Sequence, residues 1–165
     1  MFIKEYKVEQ KELLHPFGHL IYRKVTPIIG DVSDWLNAPN RCFLYEDYIS
    51  TMKYPEVFHH IVVLEINEKY RNKGYGRLLV KQFFEEAKPE SVILEVGLTE
   101  QELYERLIEE KRLYNYLETN IKPFWEKMDF MDINHTAINK QETIPMLWPP
   151  ERAKQIISLG KIKLF

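Results

Sequence analysis

The sequence predicts an α+β fold of the α/β-sandwich kind, and three observations carry the prediction. The run "FHHIVVLEI" from Phe58 to Ile66 has a β-branched centre with no Gly or Pro, which reads as a strand buried on both faces. An amphipathic stretch and a second apolar run, "SVILEVGL", follow it. Strand, helix and strand within about 40 residues make a βαβ unit whose two strands run parallel. Further on, "FMDINHT" and "TIPMLW" read as an antiparallel closing pair. The chain has 165 residues, 45% apolar and 29% charged, so one domain spanning 1–165 with a substantial core is expected.

The other elements follow in order. "MFIKEYKV" and "HLIYRKVT" read as short strands. "GDVSDWLN" offers Asp31 or Ser33 as N-cap of a helical turn. "RCFLYEDYIS" reads as a strand leading to "MKYPEVF", where Pro55 interrupts. A helix from Gly74 to about Ala87 has Leu78, Leu79, Phe83 and Ala87 at helical spacing, with Lys81, Glu85 and Glu86 elsewhere on its surface, and Pro89 closes it. "TEQE", Thr99 to Glu102, fits a capping box. The helix it opens runs to about Leu117 on Leu103, Leu107, Leu113 and Leu117. Asn120 is expected to cap "IKPFWEKM", with Pro123 inside the first turn. "PPERAKQIISL" places proline where a terminal helix opens.

Composition narrows the function classes. The formal net charge of −2 lacks the basic footprint of a general nucleic-acid binder. Cys42 is the only cysteine, so no intramolecular disulfide forms. "MFIKEYKVEQKE" is too charged for a signal peptide, and no apolar run approaches the roughly 20 residues of a membrane-spanning helix. A soluble, cytoplasmic protein is the expectation. Aromatic residues are 13% of the chain, enough for some rings to line a cleft or an interface.

The stretch "EINEKYRNKGYGRLLVKQFF" carries the first chemical signal. A strand ends at Ile66, a polar turn follows, and a helix begins near Gly74. A helix start presents unpaired N–H groups and a partial positive charge, which favour an anion. Glycine lets a ligand approach the backbone closely. Arg71, Lys73 and Arg77 add cations. The spacing of Gly74 and Gly76 does not fit a P-loop, and Leu79 stands where a dinucleotide fingerprint needs a third small residue. A purely structural turn is the alternative.

In its strand–loop–helix context, "INEKYRNKGYGRLLVKQFFEEA" resembles the acetyl-CoA loop of the GNAT superfamily of N-acetyltransferases. Ile66 takes the apolar position, Tyr70 the aromatic one, and Arg71, Gly74 and Gly76 the R-x-x-G-x-G signature. The resemblance implies a central, mixed, mostly antiparallel sheet splayed at the cofactor site and flanked by helices on both faces. It implies acetyl-CoA as cosubstrate and no metal. Backbone groups at Leu64 and Ile66 would pair with the pantetheine arm. Those of Arg71, Asn72, Lys73, Gly74, Tyr75 and Gly76 would hold the pyrophosphate. A second landmark, "PFWEKMDF" from Pro123 to Phe130, is similar to a family helix of the form "PFYxxxGF". Trp125 stands in place of its tyrosine and joins the cofactor-binding set, and Asp129 replaces its glycine.

The resemblance also implies where chemistry occurs. A Glu or His at the level of His60 serves as general base in some members, and an imidazole pKa of about 6.5 suits that work. The bland reading is that His60 ends a strand. In a regular strand Val62, Leu64 and Ile66 share its face. A β-bulge would shift the phase and bring in His59 or Glu65, the weaker alternative base. Glu95 is a further carboxylate candidate, or a paired surface residue. The indole of Trp125 donates a hydrogen bond but gives up no proton near neutral pH, so Tyr114, Tyr116, Cys42 or water would protonate the CoA thiolate. Core packing is the alternative for Trp125, Tyr114 and Tyr116. The inserted stretch Thr99 to Thr119 walls the acceptor site or makes a homodimer contact. The implied activity is acetyl transfer to a primary amine of a small molecule, peptide or protein, by direct attack in a ternary complex. The alternative is a CoA-binding or protein-interaction module with impaired transfer.

Overall fold

The computed structural model describes residues 2–30, 45, 48–49, 51–52, 56–98, 112–133 and 143–158. Its strands are β1 (Phe2–His15), β2 (Gly18–Gly30), β3 (Phe58–Ile66), β4 (Val92–Val96), β5 (Met131–Asp132) and β6 (Ile144–Trp148). Its helices with both ends among the described residues are α1 (Tyr75–Ala87), α2 (Leu113–Tyr116), α3 (Lys122–Glu126) and α4 (Pro150–Ser158). The strands form one mixed sheet in the order β1-β2-β3-β4-β6-β5. The chain divides into two compact units, Met1–Val92 and Ile93–Phe165.

In the first unit β1 and β2 form an antiparallel hairpin, closed by Pro16 and Phe17 with His15 opposite Gly18. Both strands are longer than the short runs expected. β1 is the sheet edge, and Lys7, Glu9, Lys11 and Glu12 stand exposed on it, which discourages pairing with another chain. β2 pairs antiparallel with β3. Leu20, Tyr22 and Ile61 are buried on one sheet face, under α1, where Tyr22 meets Phe83 edge to face at 4.8 Å. Phe58 and Val25 are buried on the other face, where Tyr45 and Tyr48 lie against the Phe58 ring. A helix therefore covers each face of this part of the sheet.

Three expectations in this unit are corrected. Tyr45, Tyr48 and Ile49 are helical, not strand, and Thr51 and Met52 N–H groups donate back to the Tyr48 and Ile49 carbonyls. Their i, i+3, i+4 spacing puts all three on one helix face, and all three are buried. On α1 the buried residues are Leu79, Val80 and Phe83, while Leu78 is 51% exposed, because the sheet-facing arc is centred on the 79–83 row. Burial in β3 is also uneven: Phe58, His59 and Ile61 are buried and the end of the strand is half-buried.

In the second unit β5 and β6 pair antiparallel, Met131 opposite Leu147, as expected of the closing pair. α4 opens at Pro150, and Ala153 and Ile156 are its buried side. Asn120 caps no helix. A π-helical turn, Leu117–Ile121, joins α2 to α3 without a break, and Asn120 Nδ2 donates to the Tyr116 carbonyl at 3.2 Å. Asp31, Ser33, Cys42, Pro55 and residues 99–111, with the capping box, lie outside the described residues.

Candidate functional site

The site begins where β3 runs out. Asn67 N–H donates to the Phe17 carbonyl at 2.8 Å, and Asn67 Nδ2 to the Pro16 carbonyl at 2.9 Å. The hairpin turn thereby anchors the first loop residue. Gly18 makes that approach feasible, since a Cβ there would overlap the Glu65 carbonyl oxygen. A 3-10 turn, Glu68–Tyr70, follows. Arg71 then folds back, its Nε donating to the Ile66 carbonyl at 2.8 Å. Arg71 thus braces the loop across its base.

Beyond Arg71 the backbone changes character. Asn72 and Gly74 are left-handed, with φ of 63° and 87°. Such kinks turn successive N–H groups into a concavity that suits an anion. Among the described residues no backbone carbonyl accepts from the N–H groups of Asn72 through Arg77; the next, Leu78 N–H, donates to the Gly74 carbonyl at 3.1 Å. A Cβ built at Gly74 meets nothing within 4 Å. The positive φ, not crowding, requires glycine there, and the space over the loop is open. Lys73 and Arg77 are exposed beside it.

An aromatic cluster, missed by sequence reasoning, buttresses the loop. Phe17 stacks on Tyr75 at 4.4 Å between centroids and meets Tyr70 edge-on at 6.5 Å. His15 stacks on Phe17 at 4.9 Å and its Nε2 lies 2.7 Å from Gln82 Oε1 on α1. The only local signal for this is an aromatic pair flanking Pro16 at a turn.

Upstream, β3 carries the catalytic candidates. The register jumps so that Ile61 faces Tyr22 and Val63 faces Ile21, leaving Val62 as a bulge. Of the regular and bulged strands left open by the sequence, the bulged one is present. Val63 and Glu65 share the face of Phe58 and His60, while Leu64 and Ile66 share that of Ile61. His60 lies opposite Arg23 on β2, and its Nδ1 is 2.6 Å from the Tyr45 hydroxyl. Burial, with Arg23 adding to it, lowers the His60 pKa from 6.5 to about 4. The ordinary imidazole value assumed from sequence does not hold at this position. Glu65 is half-exposed, 3.8 Å from His19 across the strand pair. His59 is on the other face, buried, at the wall of a cavity of about 590 Å³ that Tyr22, Lys24 and Glu86 also line. Burial and then Lys24 lower its pKa.

Within the second unit, Glu95 is exposed and accepts from Thr143 Oγ1 at 2.8 Å. Trp125 is 6% exposed and packs edge to face with Phe124 and Phe130 at 5.1 and 5.2 Å. Tyr114 is half-buried, its pKa raised by burial and by Glu118 and Asp132. Tyr116 is also half-buried. Among the described residues there is no group of His, Cys, Asp and Glu arranged to hold a metal ion, and no helix is long and apolar enough to cross a membrane.

Residues 15–108, more than half of the chain, match the model of the acetyltransferase (GNAT) family. The chain belongs to the GNAT acetyltransferase family. The matched stretch of this GNAT chain contains the hairpin turn, β3, the loop and α1; Trp125 and Asp129 lie beyond it. No curated protein matches at a significant level. Similar solved structures include the Bacillus subtilis N-acetyltransferase YlbP in complex with coenzyme A, 15% identical, with 82% of this chain and 61% of that one covered and a TM-score of 0.42. The GNAT chain thus spans about three fifths of that structure's length. Another is Chaetomium thermophilum Naa20 in complex with a bisubstrate analogue, 15% identical, with 91% and 68% covered and a TM-score of 0.44. A third is Arabidopsis thaliana NAA60 in complex with a bisubstrate analogue, 19% identical, with 79% and 62% covered and a TM-score of 0.38.

Proposed function

We propose that the protein transfers an acetyl group from acetyl-CoA to a primary amine by direct attack in a ternary complex. The observation that carries the reading is the run of N–H groups from Asn72 to Arg77 without a backbone acceptor among the described residues, bent by left-handed Asn72 and Gly74 at the start of a 13-residue helix. Donors of that kind favour an anion, and the pyrophosphate of CoA is the anion an acetyltransferase of this family brings. The proposed contacts are the backbone of Leu64 and Ile66 along the pantetheine arm and the loop from Arg71 to Gly76 on the pyrophosphate. Trp125 joins the cofactor set through the resemblance of its motif.

In the reaction the amine lone pair attacks the thioester carbonyl carbon. The N–C bond forms, the C–S bond breaks, the nitrogen releases a proton and the thiolate takes one up. Alignment of amine and thioester supplies a large part of the rate. His60 is the proposed base, with Glu65 on the same face as the weaker alternative. An imidazole held neutral by burial is too weak to strip an ammonium, so the acceptor arrives as the free amine. His60 takes the proton as N–C bond formation makes the nitrogen acidic. Tyr114 keeps its proton at neutral pH and stands with Tyr116, Cys42 and water as a source for the thiolate, whose thiol has a pKa of about 8.5. The acceptor is a small-molecule amine or a peptide or protein amine, and the setting is cytoplasmic.

The test is thermal stability with acetyl-CoA, followed by release of free thiol on a broad amine panel. Stabilisation together with turnover on at least one amine is the expected result. No stabilisation at millimolar acetyl-CoA refutes the reading. Stabilisation without turnover on any amine supports the second reading, a CoA-binding or interaction module, which the replacement of the motif tyrosine by Trp125 favours.

A further inference from the structure

The helical residue Tyr45 lies over the β3 face that bears His60. The residue is 2% exposed, its ring held edge to face by Tyr6 at 5.7 Å and by Phe58 at 5.5 Å. Its hydroxyl oxygen is 2.6 Å from His60 Nδ1, and the two rings meet at 85°. A phenol locked this firmly cannot swing away, so the bond fixes the His60 ring.

A neutral imidazole has one N–H and one lone pair, and the partner of one nitrogen decides which it carries. The two ring nitrogens point in divergent directions, so with Nδ1 committed to Tyr45, Nε2 is the nitrogen left to meet a substrate. For Nε2 to accept a proton, Nδ1 must hold the hydrogen. We propose that Tyr45 is the positioning residue of the site: His60 Nδ1–H donates to the Tyr45 hydroxyl oxygen, which keeps the Nε2 lone pair available to the acceptor amine. When Nε2 takes the proton released as the N–C bond forms, the Tyr45 oxygen still accepts from Nδ1–H and supports the imidazolium, as an orienting partner does in other catalytic pairs. The inference rests on His60 being the base.

The experiment is Tyr45→Phe, which keeps the ring and removes the oxygen. Long-range ¹⁵N–¹H spectra of His60, assigned with His60→Gln, should show the Nδ1–H tautomer in the wild type and a shift toward Nε2–H in Tyr45→Phe. With an amine found by the panel, kcat should fall roughly tenfold while the KM for acetyl-CoA stays within about twofold. A wild-type Nε2–H tautomer, or Tyr45→Phe with unchanged kcat, overturns the role of Tyr45. Wild-type kcat in His60→Gln overturns instead the base reading beneath it, and the tautomer spectra report on Tyr45 in either case.

Discussion

Phe17, at the tip of the first hairpin, lies stacked on Tyr75, the first residue of α1, with ring centroids 4.4 Å apart. The contact joins the two ends of the loop's support, because the Phe17 carbonyl also holds Asn67 N–H where β3 ends. The loop is thus clamped from its entry and its exit by one residue. Truncating Phe17 to Ala removes the stack and leaves the carbonyl. An aromatic pair contributes about 0.5–1.5 kcal/mol beyond burial, so acetyl-CoA affinity should fall roughly three- to tenfold, with a small loss of thermal stability. Calorimetric titration of Phe17→Ala with acetyl-CoA measures this, and an unchanged Kd would show that the loop holds its form without the clamp.

Gly74 separates backbone strain from ligand contact. Its φ of 87° costs an L-residue roughly 1–2 kcal/mol, but a Cβ there meets no atom. Gly74→Ala should lose about that much stability in denaturant unfolding. Gly74→Glu carries the same strain and adds a carboxylate over the free N–H groups. It should abolish the thermal shift with acetyl-CoA, whereas Ala only weakens it. Equal shifts in the Ala and Glu variants would place the pyrophosphate elsewhere.

The parts of this fold legible in the sequence are those written in local chemistry. The apolar run of β3, the glycines of the loop and the spacing of Leu79 and Phe83 each report on neighbours a few residues away, and β3, loop and α1 fall where those signals put them. The closing pair and α4 were legible for the same reason. The helical turn at Tyr45 and Ile49 was not, because residues with strong β propensity sit there and only the i, i+3, i+4 pattern favours helix. The bulge at Val62 left no trace among β-branched neighbours. Asn120, a good cap by type, was overridden by a helix that continues through it. The Phe17 stack and the Tyr45–His60 bond join distant segments, which no local pattern announces. The proton affinity of His60 depends on burial and on Arg23 across the strand pair, both products of the fold.

That lowered proton affinity has a signed consequence for stability. The folded-state pKa of His60, about 4, lies below the value of about 6.5 for an exposed imidazole. The unfolded chain therefore binds the proton more tightly in this window. The stability of neutral, half-buried His60 is fully present above about pH 6.5 and is lost progressively as pH falls toward 4. His59, also lowered, acts with the same sign. Tm should drop between pH 6.5 and 4.5, and less steeply in His60→Gln. An equal drop in both proteins would mean that the fold does not hold His60 neutral.

The same value shapes the rate. With His60 neutral through the physiological range, kcat/KM should rise with pH as the acceptor amine loses its proton, with no inflection near pH 6.5. The profile should move when an acceptor of different amine pKa is used. An inflection near 6.5 that vanishes in His60→Gln would assign His60 an exposed, ordinary imidazole instead.

Asp129 closes α3 in a conformation that favours glycine. Its φ is 67°, and the chain around it wraps back: Asp129 N–H donates to the Glu126 carbonyl and Phe130 N–H to the Trp125 carbonyl, both at 3.1 Å. This is the left-handed helix end that brings buried Phe130 onto Trp125. Asp tolerates the left-handed region better than most residues but less well than glycine. Asp129→Gly should therefore raise stability by roughly 0.5–1 kcal/mol, and Asp129→Val, with a branched Cβ, should lower it by more than that. Because Asp129 is exposed, no lost packing confuses the comparison. Denaturant unfolding of the two variants measures the difference. A destabilised Asp129→Gly would show that the carboxylate makes a contribution larger than the relief of backbone strain.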